Sequence, residues 1–321
     1  MSTTITEDEA ALYDRQLRLW GVEAQNRMRN SSVLIYSFRG VAAEITKNIV
    51  LAGVGNVTLL DEKDVEEQDF GANYFIREEE VGKKRVEASA PRVQALNPRV
   101  NLTTRTDASL LADETFLSTF DLVVLTDVDA PTLLRTNALT RKLGKKLYAA
   151  SSLGMDGWIF ADLLQHEFVC DVIKTVNGNE QVKVPTKSTN SYVPFESALK
   201  HQWSSLKARE LKRTPDSLWG LLSLWAAQQA TPDSPISDET LTSVATTFLP
   251  TISVKPTLLS ASTITRISLT SSLEFPPSCA IIGGVAGQDV LNILGGKEEP
   301  VRNLMLFDGT TGAGTVWAVG V

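Results

Sequence analysis

Short apolar runs alternate with stretches whose apolar residues recur every three or four positions through the first half of the chain. Val33-Leu34-Ile35-Tyr36 fits a buried strand, and a small-residue loop, Ser37 to Ala43, follows it. Ala42, Ile45, Ile49 and Ala52 then fall at helical spacing, and Gly53 and Gly55 close that helix as left-handed helix ends prefer. Val57 to Leu60 reads as a second strand ending at Asp61. Strand, loop, helix and strand in this order form the opening βαβ unit of a doubly wound sheet. The rhythm continues with a helix over Glu80 to Leu96, stopped by Asn97-Pro98, and strands at Val100 to Thr104 and Leu122 to Leu125. A helix over Pro131 to Leu143 carries its proline in the first turn, and Lys146 to Ser152 is a further strand. Ahead of them, residues 7–30 read as helix, with Glu7, Asp8 and Glu9 favoured at its positive end and Gly21 an interruption.

The pattern changes near residue 165. Glu167 to Ile173 reads as extended, and Thr175 to Ser191 as polar and turn-rich, with a hairpin-type Asn177-Gly178. Ser217 to Gln229 is a tryptophan-bearing helix, Thr231 to Ser237 a proline-bearing loop, and Asp238 to Phe248 another helix. The α/β rhythm returns at Cys279 to Gly287, the start of a helix whose small residues allow close backbone approach, and in strands at Leu304 to Phe307 and Thr315 to Val319. The expected organisation is an α/β domain in two parts, 1–164 and 271–321, around an inserted, partly helical half-domain at 165–270.

Composition narrows the classes. The 321 residues are 43% hydrophobic and 21% charged with a net charge of −7, the mix of a globular chain without the basic surface that bulk nucleic-acid binding needs. No apolar run approaches the roughly 18 residues of a membrane span. Cys170 and Cys279 are too few for a disulfide framework or a cysteine-rich zinc site, so a reducing compartment is expected.

The loop after the first strand is where a phosphate-binding turn belongs. Such a turn needs glycines for the tight bend, for close approach by the phosphate and for packing of the helix on the strand. The pattern G-x-G-x-x-G, laid over Ser37, Arg39, Val41 and their neighbours, fails. G-x-G-G-x-G from residue 37 keeps Gly40 alone, with Ser37 and Ala42 where glycines belong. Spacing leaves two readings open: a relaxed dinucleotide site with Asp61 on a ribose, or a fold kept after its nucleotide site decayed.

Tyr13-Asp14-Arg15-Gln16-Leu17-Arg18-Leu19-Trp20-Gly21 resembles the N-terminal signature of the enzymes that activate ubiquitin and ubiquitin-like proteins, the ThiF/MoeB adenylation family. Ala43 to Gly53, Glu78 to Arg85, Gly283 to Gln288 and Phe307-Asp308-Gly309 are similar to the same family, so the resemblance covers about 1–165 and 275–321. Length, His166 to Val169 and Leu211 to Thr214 resemble its smaller, non-thioester subunits of SUMO-activating heterodimers. The resemblance implies a Rossmann-like adenylation domain whose insert is a catalytic-cysteine half-domain without the thioester cysteine.

Active members carry D-x-D after the second strand, where this chain has Asp61 and Lys63, and a lysine cannot accept ribose hydroxyl hydrogen bonds. Their N-x-x-R falls on Asp69 and Ala72, and their D-N-x-x-A-R on Asp127, Val128 and Thr132, where only the metal-directed Asp127 survives. The resemblance therefore implies ATP and Mg²⁺ bound mainly by the larger, thioester-forming partner subunit, SUMO engaged through the complex, and a nuclear location. It also implies that Arg15 crosses to the partner's ATP phosphates, where a permanently charged guanidinium suits phosphate oxygens. Standing alone, Arg15 would read as a surface partner of Asp14 or Glu9. Cys170 and Cys279 read as structural thiols, Lys83 as solvated or at an interface, His166 and His201 as isolated, and Trp203, Trp219 and Trp225 as core of the insert. Other readings are the regulatory subunit of a Nedd8-type activator, a homodimeric MoeB/ThiF-like sulfur-carrier adenylyltransferase, and an NAD-linked oxidoreductase.

Overall fold

A computed structural model describes residues 6–176, 180–232 and 234–320. The N-terminal helical stretch is two helices, α1 (Glu7–Leu12) and α2 (Asp14–Arg29), and α2 breaks at Gly21, whose φ of 82° is left-handed. Next come β1 (Ser32–Tyr36), α3 (Gly40–Leu51), β2 (Asn56–Leu60), α4 (Arg85–Leu96) and β3 (Asn101–Arg105). The short α5 (Glu114–Leu117) precedes β4 (Leu122–Thr126), α6 (Ala130–Lys142), β5 (Lys146–Leu153) and β6 (Asp156–Asp162). The expected α/β alternation is therefore present, with α4 beginning at Arg85 rather than Glu80.

The sheet runs β10-β9-β6-β5-β4-β1-β2-β3, completed by β9 (Leu304–Asp308) and β10 (Ala313–Trp317). Strands β3, β2, β1, β4 and β5 are parallel, and β6, β9 and β10 join antiparallel. Strand order reverses between β1 and β4, and ligands of such sheets bind beyond the carboxyl ends of the strands at that point.

Alternate residues divide each central strand between two layers. Val33 and Ile35 of β1 face the core under α3, α4 and α12 (Pro276–Gly295), while Leu34 joins the core on the other face. The small residues of α12 let it lie against α3 as expected: a Cβ on Gly283 would stand 2.4 Å from the Cβ of Glu44. By length and composition α12 could cross a membrane, which departs from the sequence expectation, but 67% of its most apolar window is buried in the fold.

Residues 165–270 contribute a two-stranded antiparallel ribbon, β7 (Gln165–Val176) and β8 (Glu180–Ser191), then helices α7 (Phe195–Leu199), α8 (Ala208–Leu211), α9 (Asp216–Ala230), α10 (Asp238–Phe248) and α11 (Ala261–Thr270). The segment read as turn-rich is thus mostly the strand β8; Asn177-Gly178 lies outside the described residues. The helices have no separate core. Trp225 meets Trp158 of β6 and Phe195 of α7 edge-on, each with ring centroids 5.0 Å apart, in the same cluster as Trp203 and Trp219.

Candidate functional site

The carboxyl ends of β1, β2 and β4 bring together residues 37–41, 61–63 and 127–132. Ser37 stands at the first glycine position with φ of 68°, so the turn keeps the left-handed backbone that glycine favours although the glycine is gone. Asp127, at the end of β4, is also left-handed, with φ of 52°.

Asp61 holds the turn from below. Its Oδ2 accepts the backbone N–H of Phe38 at 2.7 Å and the Arg85 guanidinium at 2.7 Å, while its Oδ1 accepts the Lys63 N–H at 2.8 Å. Arg85 also donates to Asp69 Oδ2 at 2.9 Å, which makes a buried Asp61–Arg85–Asp69 bridge. Asp61 is buried and spends three of its roughly four acceptor positions on the turn and on Arg85. The residue that would face the ribose in active members, Lys63, is exposed.

One substituted position packs against the turn itself. The Cβ of Ala72 would be 2.5 Å from a Cβ on Gly40. Gly40 is therefore still required for close approach, but by a side chain of this chain rather than a phosphate. Val128 is half-buried against the core, and Thr132 lies in the first turn of α6, its N–H donating to the Asp129 cap at 2.8 Å. Two clefts meet at Asp127 and Val128: one of about 300 Å³, lined also by Ser37, Asp61, Lys63 and Thr132, and one of about 440 Å³, lined also by Arg39, Ser151 and Gln228, both in the lower part of the roughly 300–1,000 Å³ range of ligand pockets. A larger groove of about 1110 Å³ lies away from these residues, between α2, β7 and the end of α12.

Sequence reasoning passed over Glu274. Its carboxylate accepts the Gly40 N–H at 2.8 and 3.0 Å and the Val41 N–H at 3.3 Å, at the start of α3. Arg39 Nε lies 3.6 Å from Glu274 and 3.7 Å from Asp69. Asp127 accepts the Ser151 hydroxyl at 2.7 Å. Burial and the Glu274 carboxylate push Asp127 from 3.8 up to about 7. Mg²⁺ takes oxygen ligands, and Lys63, Ala72 and Val128 bring no side-chain oxygen to Asp127, while Asp69 is spent on Arg85. ATP with Mg²⁺ does not fit this site. Only Glu274's distance in sequence, beyond the insert, hid it: nothing in its local pattern marks it.

Cys279 lies in the first turn of α12, and burial with the carboxylates of Glu274 and Asp127 pushes its thiol well above the ordinary range. Cys170 is half-buried on β7. His166 is buried with Nδ1 2.9 Å from the Lys146 ammonium, so it is not isolated, and Lys83 is exposed.

Arg15 lies elsewhere. Tyr13, two residues before it, is buried, and its hydroxyl takes a 2.8 Å hydrogen bond from Asn97, which also donates to Val50 O at 2.9 Å near the far end of α3. The twelve residues of α3 rise about 18 Å between that end and Gly40. Arg15 is exposed; Asp14 pairs with Arg18 at 3.0 Å, and Glu9 with Arg29 at 3.3 Å and Arg99 at 3.8 Å.

The family model described as ThiF matches residues 13–319, through the signature, the turn and the closing strands. The chain belongs to the ThiF family. SUMO-activating enzyme subunit 1 of Homo sapiens is 34% identical, covering 98% of this chain and 96% of that one, and the Xenopus laevis protein of that name is 35% identical with 98% and 97% covered. The DNA damage tolerance protein RHC31 of Saccharomyces cerevisiae is 35% identical with 96% of each chain covered. This ThiF-family chain also shares its fold with solved structures of PaaA (TM-score 0.60, 13% identity, 99% of this chain and 76% of that one) and E. coli MccB (TM-score 0.58, 13% identity, 97% and 72%).

Proposed function

We propose that this chain is the non-catalytic but required subunit of a heterodimeric SUMO-activating enzyme. The larger, thioester-forming partner holds ATP and Mg²⁺ and adenylates the C-terminal glycine of SUMO, and this chain supplies Arg15 to the ATP phosphates in trans. Near full-length similarity to proteins named SUMO-activating enzyme subunit 1 supports the assignment. A nuclear location belongs to the same proposal.

The observation that carries it is the placement of Arg15. It projects from the end of the fold remote from the chain's own turn, and the two acids that a surface arginine would have used, Asp14 and Glu9, pair with other arginines. The chain's own turn lies at the opposite end of α3, with Glu274 on its amides, so Arg15 is too far away to serve an anion bound there. A guanidinium there offers paired donors to phosphate oxygens and stabilises charge that builds on the leaving pyrophosphate.

Arg15→Ala tests this in the reconstituted heterodimer. SUMO adenylation should slow on the order of a hundredfold, the usual cost of one charge-stabilising donor, while the two subunits still co-elute. An unchanged rate would remove Arg15 from the phosphate site.

A further inference from the structure

The first backbone N–H groups of a helix have no partner within it, and together with the helix dipole they attract an anion. At α3 this place is taken by a side chain of the same molecule. The Glu274 carboxylate receives the N–H groups of Gly40 and Val41, and its side chain is only 3% exposed. Gly40, without a side chain, leaves its amide open to the approach. Arg39 adds a positive charge 3.6 Å away, and Cys279 Sγ lies 3.7 Å from Oε1.

Glu274 is carried on the segment between α11 and α12 that returns the chain from residues 165–270. Gly154 pins that segment: its N–H donates to Leu273 O at 2.9 Å, and Gly154 and Glu274 form a parallel bridge. The Arg39 guanidinium also donates to Ser272 O at 3.3 Å. The contact thus ties the return segment to the switch point of the sheet. Asp69, already paired with Arg85, and Asp127 stand beside Arg39 and Glu274.

We propose that Glu274 is a built-in ligand of the α3 N-terminus, a carboxylate in the place of a phosphate, which closes the chain's own anion site from within. A turn, a helix N-terminus and an arginine suffice to hold an oxyanion, so loss of the nucleotide-contacting side chains alone would leave this anion position open; the internal carboxylate fills it. Removing it uncovers a site for phosphate or a similar oxyanion. This inference does not depend on Arg15 or on a partner chain.

The test is a titration of the purified full-length chain with inorganic phosphate, followed through the backbone amide resonances of Gly40 and Val41 and by calorimetry. The wild type should not saturate. Glu274→Ala should bind at least about tenfold more tightly than wild type, as expected for recovered hydrogen bonds to a charged group. The Gly40 and Val41 resonances should move, and Arg39→Ala in the same background should weaken the binding. Glu274→Gln keeps the shape and one acceptor oxygen, and gives the same readout with a smaller shift if the alanine variant does not fold. The proposal is overturned if phosphate leaves the Gly40 and Val41 amides unmoved in the folded variant, or if the wild type binds it equally well.

Discussion

At the scale of single residues, loss and replacement go together in this site. Ser37 keeps the left-handed backbone that glycine favours, Ala72 fills space at Gly40, and an exposed Lys63 stands where the resemblance puts a ribose-binding acid. Asp127 is the one acid of the motif that survives, and it now lies beside Glu274, Arg39 and Cys279. Its carboxyl is raised from 3.8 up to about 7, so the folded state holds the proton more tightly than the unfolded chain. That contribution to stability is complete below about pH 4, falls as pH rises to about 7, and is flat above. Asp127→Asn keeps an acceptor for Ser151 and cannot ionise. Its Tm relative to wild type should therefore rise between pH 4 and pH 7. A Tm difference that stays constant over that range would mean that Asp127 ionises in its ordinary range.

At the scale of elements, the parallel half of the sheet was legible because each strand is a short apolar run and each helix keeps its period. β6 was not legible: every residue from Asp156 to Asp162 is buried, so the strand shows no alternation, and it follows β5 after only Gly154 and Met155. β8 failed for the opposite reason, since a two-stranded ribbon exposes many residues on both faces and Glu180 to Ser191 reads as polar. α11 is rich in serine, threonine and isoleucine, which have weak helix propensity, and shows itself only through its packing. Of the site, the degenerate positions were readable one by one, but their occupant was not, because Glu274 comes from more than 230 residues beyond Gly40 in the chain. The start of α3 lies close against Ala72, whose Cβ would be 2.5 Å from a Cβ on Gly40. Gly40→Ala should cost about 1–3 kcal/mol, read as a fall in the denaturant midpoint. Adding Ala72→Gly should recover part of it, whereas additive losses in the double variant would place the strain elsewhere.

At the scale of the whole molecule, the two ends of α3 have different uses. One end is closed on the chain's own Glu274; beyond the other, Tyr13 and Asn97 hold the helix that presents Arg15 outward. The insert shares its core with the sheet through Trp158, Trp225 and Phe195, so it is fixed to the fold that displays Arg15 rather than hung from it. Under the proposed assignment such a chain supports adenylation on its partner rather than on itself. The most direct measurement is SUMO-dependent ATP–pyrophosphate exchange, on the purified chain alone and after addition of the larger subunit. No exchange by the chain alone, and exchange in the mixture well above that of the larger subunit by itself, is the expected result; exchange by the purified chain alone would contradict it.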